Sequence, residues 1–213
     1  MFMVGAPGAG KGTQARRLER YGFDHVSVSG LLRHESERSG DAAVAQRIDV
    51  GELQGALAVR VVLDRLMCQP ADRSLVIDGY FRTVEELESL DVIEEVVKLR
   101  LRIMLLRVPR QVCLERVLRR TACVRCRAVG AGATLCTCGG EMLRRPDDNL
   151  ASWEARMALF EPLEVIVRSR LRGRADYFEV DGNRSPDAVA AEVASALARA
   201  AGVGDGAVVD TTS

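Results

Sequence analysis

Short apolar runs alternate with stretches in which apolar residues recur every three or four positions, and the alternation holds along most of the chain. The runs Met1–Val4, His25–Val28, Ser74–Ile77, Leu101–Val108 and Tyr177–Val180 are mostly apolar and short, which predicts strands. Helical periodicity predicts helices over Gly10–Tyr21, Leu31–Gly51, Ala56–Cys68, Val84–Val97, Asn149–Leu171 and Ser185–Ala201. Pro109 suits the first turn of a further helix running to Arg120. Strands that alternate with helices predict an α/β fold: a parallel sheet covered by helices on both faces. Two segments break the pattern. Thr121–Arg144 is rich in Gly, Cys and Thr, and Gly202–Ser213 has little to bury and is expected to be a disordered tail.

The length of 213 residues suits one α/β domain carrying small inserted lobes, here residues 1–201. Formal net charge is zero, so no global field draws nucleic acid or an anionic membrane to the chain. Neither a secretory signal nor an apolar run of roughly 20 residues is present, so a cytoplasmic protein is expected. The first strand is short, and a start further upstream would lengthen it. Lys11 and Lys98 are the only lysines, so the positions of the arginines matter more than their number. Four of the six cysteines crowd between Cys123 and Cys138, and without a secretion signal they read as metal ligands before disulfides.

The chemistry begins at Gly5-Ala6-Pro7-Gly8-Ala9-Gly10-Lys11-Gly12-Thr13, which follows a strand and opens a helix. Glycines let the backbone curl until several N–H groups face one centre, and the helix N-terminus adds partial positive charge. Lys11 can reach the β- and γ-phosphates of a nucleotide, and the Thr13 hydroxyl can join the phosphate or Mg²⁺ network. The plainer alternative is a tight strand–helix turn without a ligand.

This loop, with Gly12 between the lysine and the threonine, resembles the first motif of adenylate kinases. The rest of the family's segments follow in order over nearly the whole chain. Leu31-Leu32-Arg33 is similar to the segment whose arginine holds the acceptor's phosphate, and Asp78-Gly79-Tyr80-Phe81-Arg82-Thr83 is similar to DGFPRT. Arg116 and Arg120 resemble the pair that precedes the family's lid; Arg145-Pro146-Asp147-Asp148, followed by Arg156, resembles the stretch that closes it. Val180-Asp181-Gly182 resembles the segment beside the donor's adenine. The resemblance implies a P-loop NTPase-type sheet with a small helical acceptor-binding lobe at 29–58 and an inserted lid at 121–146. It implies a monomer that moves the γ-phosphoryl of ATP, with Mg²⁺, onto AMP.

Roles follow from the same resemblance. Gly8, Ala9, Gly10, Lys11, Gly12, Thr13, Arg116, Arg120 and Arg184 would bind ATP. Ser29, Arg33, Gly79, Arg82, Glu86, Arg145 and Arg156 would bind the nucleoside monophosphate. Lys11, Arg82, Arg120, Arg145 and Arg156 would be catalytic, and Asp78 would organise Mg²⁺. Phosphoryl transfer suits such a set, because it asks for position and charge neutralisation rather than covalent help. Some members of the family hold a structural Zn²⁺ on four lid residues, which makes Cys123, Cys126, Cys136 and Cys138 candidate ligands. The single residue between Cys136 and Cys138 departs from the usual two and leaves Cys136 open as a weak ligand or none. A reduced, metal-free lid and oxidation in vitro are the alternatives.

The acceptor side departs further. Val28-Ser29-Gly30 stands where relatives have Thr-Gly-Asp, and Phe81 where they have proline. Glu86 replaces a glutamine that reads adenine. A carboxylate accepts only, which suits guanine's N1–H and N2–H₂ better than adenine; alternatively, Glu86 lies on a solvated acidic face with Glu85 and Glu88. GMP or another monophosphate as acceptor therefore stays open, as does a regulatory nucleotide-binding paralogue. A small-metabolite kinase on the same loop is the remaining rival.

Overall fold

The computed structural model describes residues 1–41, 43, 55–70, 73–99, 101–126 and 128–200. The expected tail at 202–213 and parts of the second helix and of the expected lobe at 29–58 lie outside the described residues.

Among the described residues five strands form the sheet: β1 (Phe2–Gly5), β2 (Phe23–Ser27), β3 (Ser74–Asp78), β4 (Ile103–Arg107) and β8 (Tyr177–Asp181), all parallel, in the order β2-β3-β1-β4-β8. Successive side chains of a strand face opposite sides, and the two central strands are apolar on both. Phe2, Val4, Ile103 and Leu105 enter one core with Val62, Leu163 and Val167. Met3, Met104 and Leu106 enter the other with Ala15, Leu18, Trp153 and Val193. Helices therefore cover both faces, as the alternation predicts. They are α1 (Lys11–Glu19), α2 (Val28–Ser39), α3 (Gly55–Met67), α4 (Val84–Glu88), α5 (Leu90–Val97), α6 (Arg110–Arg119), α7 (Leu150–Leu171) and α8 (Pro186–Ala200).

Local chemistry moves several boundaries. The second strand starts at Phe23 and stops at Ser27, because the Ser27 hydroxyl accepts from Gly30 N at 3.2 Å and caps α2. The single helix expected over Val84–Val97 is divided at Ser89, whose hydroxyl donates to the Glu86 carbonyl at 2.8 Å and also meets the Tyr80 hydroxyl at 2.7 Å. Asn149 caps α7 by accepting from Ser152 N at 2.9 Å. The aperiodic stretch between α6 and α7 holds a second, antiparallel sheet: β5 (Arg120–Cys123), β6 (Val129–Ala131) and β7 (Met142–Leu143), in the order β6-β5-β7.

All five core strands end at one edge, where Gly5, Ser27, Asp78, Arg107 and Asp181 hand over to loops. The register sets Ser27 opposite Asp78 and Arg107 opposite Asp181. That carboxyl edge is where open α/β sheets bind ligands.

Candidate functional site

The loop from Gly5 to Thr13 curls off the carboxyl end of β1 into the first turn of α1. Gly8 and Gly10 have φ of 97° and 102°, a region that side chains avoid. At Gly8 the space is closed as well: a Cβ there would lie 2.3 Å from the Cys113 carbonyl oxygen. The loop is pinned from the other side by Trp153, whose indole N–H donates to the Pro7 carbonyl at 2.9 Å while Arg110 stacks on its ring at 4.8 Å. Sequence reasoning did not single out Trp153. Its one signal is that it is the only tryptophan, four residues after the cap of α7.

Lys11 turns back over the loop, its ammonium donating to the carbonyls of Gly5 at 2.6 Å and Ala6 at 3.1 Å. Burial pushes its pKa down to about 8; Asp78 works against that shift, and Arg82 and Arg120 add to it. Asp78 closes β3 with its carboxylate facing the loop, where a Cβ on Gly12 would meet Oδ2 at 3.5 Å. Burial opposes its ionisation, yet a hydrogen bond from His25 at 3.0 Å and the charges of Lys11 and Arg82 hold its pKa below the ordinary value. His25 was also missed from sequence, because only the β2–β3 register shows that it neighbours Asp78.

Arg82 lies beyond the turn at Gly79, which needs its glycine: φ is 79°, and a Cβ would stand 2.9 Å from the Arg82 guanidinium. The guanidinium's pKa is lowered, first by burial and then by Arg145 and Arg33, against the pull of Glu86 and Asp78. Glu86 is not on a solvated face. It is 1% exposed, and its Oε2 accepts from Arg82 N at 2.6 Å. The acidic surface face expected of this helix stops short of it, because the cap of α4 turns the carboxylate inward. Ser29, in the first turn of α2, is half-buried.

Three more arginines join from the segment around the second sheet. Arg120 donates through Nε and Nη2 to the two oxygens of Asp148, whose side chain is fully buried. Arg156 donates to Asp147 Oδ2 at 2.9 Å and to the Asp147 carbonyl at 2.8 Å, and Arg145 reaches the same carboxylate at 3.2 Å. Burial, followed by Arg120 and Arg145, lowers the pKa of Arg156. Lys11 feels the charges of Arg82 and Arg120, Arg82 those of Arg33 and Arg145, and Arg156 those of Arg120 and Arg145, which links the six in one positive region at the carboxyl edge.

Beside the loop a cleft runs between Gly10, Thr13, Arg116, Gly182 and Arg184. Arg116 bridges its two walls, donating to the carbonyls of Ala9 at 3.3 Å and Gly182 at 3.1 Å. Gly182 has no room for a side chain, since a Cβ would lie 2.6 Å from Val108. Arg184 stands exposed at the rim, paired with Glu192 at 2.7 Å.

At the far end of the second sheet, the sulfurs of Cys123, Cys126, Cys136 and Cys138 all lie within 4.8 Å of one another. The contacts Cys123–Cys138 and Cys126–Cys136 are 3.5 Å each. Tetrahedral thiolates about 2.3 Å from a zinc ion stand roughly 3.8 Å apart, so the group fits that ion. The one-residue spacing does not keep Cys136 out of the group. N–H groups of Cys126 and Arg125 point at the Cys123 sulfur and lower its pKa to about 6. A Cβ on Gly140 would lie 2.6 Å from that sulfur, so the turn is shaped around it.

A phosphate-type loop, a wall of guanidiniums and a carboxylate held ionised between them define a phosphotransferase. The family model for adenylate kinase matches residues 3–171. An adenylate kinase of Novosphingobium aromaticivorans is 32% identical over 93% of this chain and 98% of its own length. One from Clostridium botulinum (strain 657 / Type Ba4) is 29% identical over 93% and 98%, and one from Archaeoglobus fulgidus 27% identical over 92% and 97%. The chain belongs to the adenylate kinase family and is a nucleoside monophosphate kinase. Among the described residues no helix is long and apolar enough to cross a membrane.

Proposed function

We propose that the chain catalyses ATP + AMP = 2 ADP. The observation that carries the reading is the glycine-turned loop with Lys11 over it, faced by Asp78 and Arg82 and by Arg120, Arg145 and Arg156, which Asp147 and Asp148 hold. Two anionic substrates repel each other, and fixed guanidiniums remove that repulsion while setting the line of transfer. Arg33 and Arg82 hold the acceptor phosphate, with Ser29 and Gly79 shaping its surroundings. The loop from Gly8 to Thr13 and Lys11 hold the donor phosphates. Arg116 lies along the donor base in the cleft that Gly182 and Arg184 border. Arg120, Arg145 and Arg156 neutralise the group in transit.

The segment 121–146 acts as a lid over this region and 29–58 as the acceptor lobe. Asp147 and Asp148 tether the lid's arginines at its root. Closing the lid excludes water, which strengthens the charges inside and keeps the phosphoryl group from water. Asp78, an ionised carboxylate facing the loop, is the residue that would hold Mg²⁺, which would supply neutralisation of ATP's phosphate charge. The four cysteines hold a structural Zn²⁺ that folds a segment too small for its own core. The same reading makes the enzyme a cytoplasmic monomer.

The test is an assay of ADP formation from ATP and Mg²⁺ with AMP, GMP, CMP, UMP or dTMP. Dependence of ADP formation on AMP supports the reading. A preference of tenfold or more for GMP would move the acceptor assignment, and no turnover with any monophosphate would overturn it.

A further inference from the structure

Glu86 occupies the position where sequence reasoning looks for a reader of the acceptor base, and the structure gives its carboxylate another task. Thr83 is the N-cap of α4: its hydroxyl accepts from Glu86 N at 3.2 Å. Glu86, three residues on, reaches back, and its Oε2 accepts from Arg82 N at 2.6 Å, the amide just ahead of the cap. This is a capping box shifted by one residue: Thr83 satisfies an amide that the helix start leaves unpaired, and Glu86 reaches past the cap to the amide before it.

The turn that this box closes is under strain. Gly79 has φ 79°, and two residues later Phe81 has φ 56°, in the left-handed region that a side-chain-bearing residue rarely adopts. Phe81 is held there by ring contacts of 5.4 Å with Phe2 and 5.0 Å with Tyr80. The amide that follows this strained residue is the Arg82 N–H that Glu86 accepts. Glu86 therefore fixes the backbone from which the Arg82 guanidinium projects, and its charge also offsets that guanidinium among Arg33 and Arg145.

We propose that Glu86 is a positioning residue for Arg82, and that base choice among acceptors is not set at Glu86. The proposal rests on the reading that Arg82 holds the acceptor phosphate. A glutamine can serve the same box through its carbonyl oxygen. Leucine fills the space without an acceptor, and aspartate keeps the charge but is one methylene short.

The experiment measures KM for AMP, GMP and ATP, with kcat, in wild type and in Glu86→Gln, Glu86→Leu and Glu86→Asp, with thermal unfolding run alongside. Glu86→Leu and Glu86→Asp should raise KM for AMP by about tenfold or more, with KM for ATP within about threefold of wild type. Glu86→Gln should stay within about threefold for both acceptors and leave the AMP-to-GMP ratio of kcat/KM unchanged. If Glu86→Leu does not fold, the Asp and Gln variants decide the matter by the same comparison. A shift of about tenfold in the AMP-to-GMP ratio on Glu86→Gln would make Glu86 a base reader and overturn the proposal. So would an unchanged KM for AMP in the folded Leu and Asp variants, which would leave only a structural cap. A wild type inactive on every monophosphate overturns the functional reading and this inference with it; an active wild type with indifferent variants overturns this inference alone.

Discussion

Arg120 grips Asp148 with two parallel N–H donors, one to each carboxylate oxygen, and the Asp148 side chain is entirely shielded from solvent. The pair joins the end of α6, where the second sheet leaves the core, to the start of α7, where the chain returns. Removing one partner of a buried pair leaves the other's charge uncompensated. Asp148→Ala should therefore cost about 2–3 kcal/mol, discounted from the fully buried case because Arg120 is partly exposed. Thermal unfolding should show a Tm lower by roughly 4–12 °C. The same variant frees Arg120 from its orientation, so kcat should fall further than stability alone explains. An unchanged Tm would mean that the pair contributes nothing to the root of the lid.

Lys11→Met removes a fixed charge from the phosphate loop while keeping the side chain's length. The ammonium's bonds to the Gly5 and Ala6 carbonyls are lost, but Gly8, Gly10 and the Trp153–Pro7 bond still hold the loop, so the fold should survive. Loss of such a preorganised charge costs roughly 3 kcal/mol or more in the transition state, and kcat should drop by at least about two orders of magnitude. Turnover within about threefold of wild type would take Lys11 out of the mechanism.

The pKa of Lys11, lowered to about 8 chiefly by burial, gives the pH profile its sign. The ammonium is the charged, useful form below that value and is lost as pH rises through it. Because kcat/KM reports the free enzyme, kcat/KM for ATP should fall on an alkaline limb centred near pH 8. The phosphates of bound ATP stabilise the ammonium, so kcat at saturating ATP should hold to higher pH. Identical alkaline limbs for the two parameters would contradict this assignment.

Zinc analysis of protein prepared without chelators should find about one ion per chain, and a thiol-reactive mercurial should release it with loss of thermal stability. All four sulfurs lie within 4.8 Å of one another, so Cys136→Ser and Cys126→Ser should both weaken retention. Metal-free protein of undiminished stability would show that the segment folds on its own contacts.

The parallel core was legible because short apolar runs alternate with helical periodicity along the chain, and β1 and β4 are indeed buried on both faces. The phosphate loop was legible because glycine spacing, a lysine and a strand–helix junction coincide within nine residues. What escaped depended on partners distant in sequence. His25 meets Asp78 only through strand register, and Trp153 meets Pro7 only when α7 folds back onto the loop. Glu86 misled for a different reason. A carboxylate between two other acidic residues looks solvated, although Thr83 three residues earlier completes the capping signature that turns it back toward Arg82 N. The strands of the second sheet are two to four residues long, too short to leave a period.

Transfer between nucleotides is tested most directly by the fate of the γ-phosphoryl group. ATP labelled with ¹⁸O in the γ-phosphoryl, mixed with Mg²⁺, AMP and the protein, can be followed by mass spectrometry of the products. Early in the reaction the label should appear as the β-phosphoryl of ADP formed from AMP, with ADP formation requiring AMP and little labelled inorganic phosphate. Label released mainly as inorganic phosphate, at a rate indifferent to AMP, would contradict it and make the chain a nucleotide hydrolase.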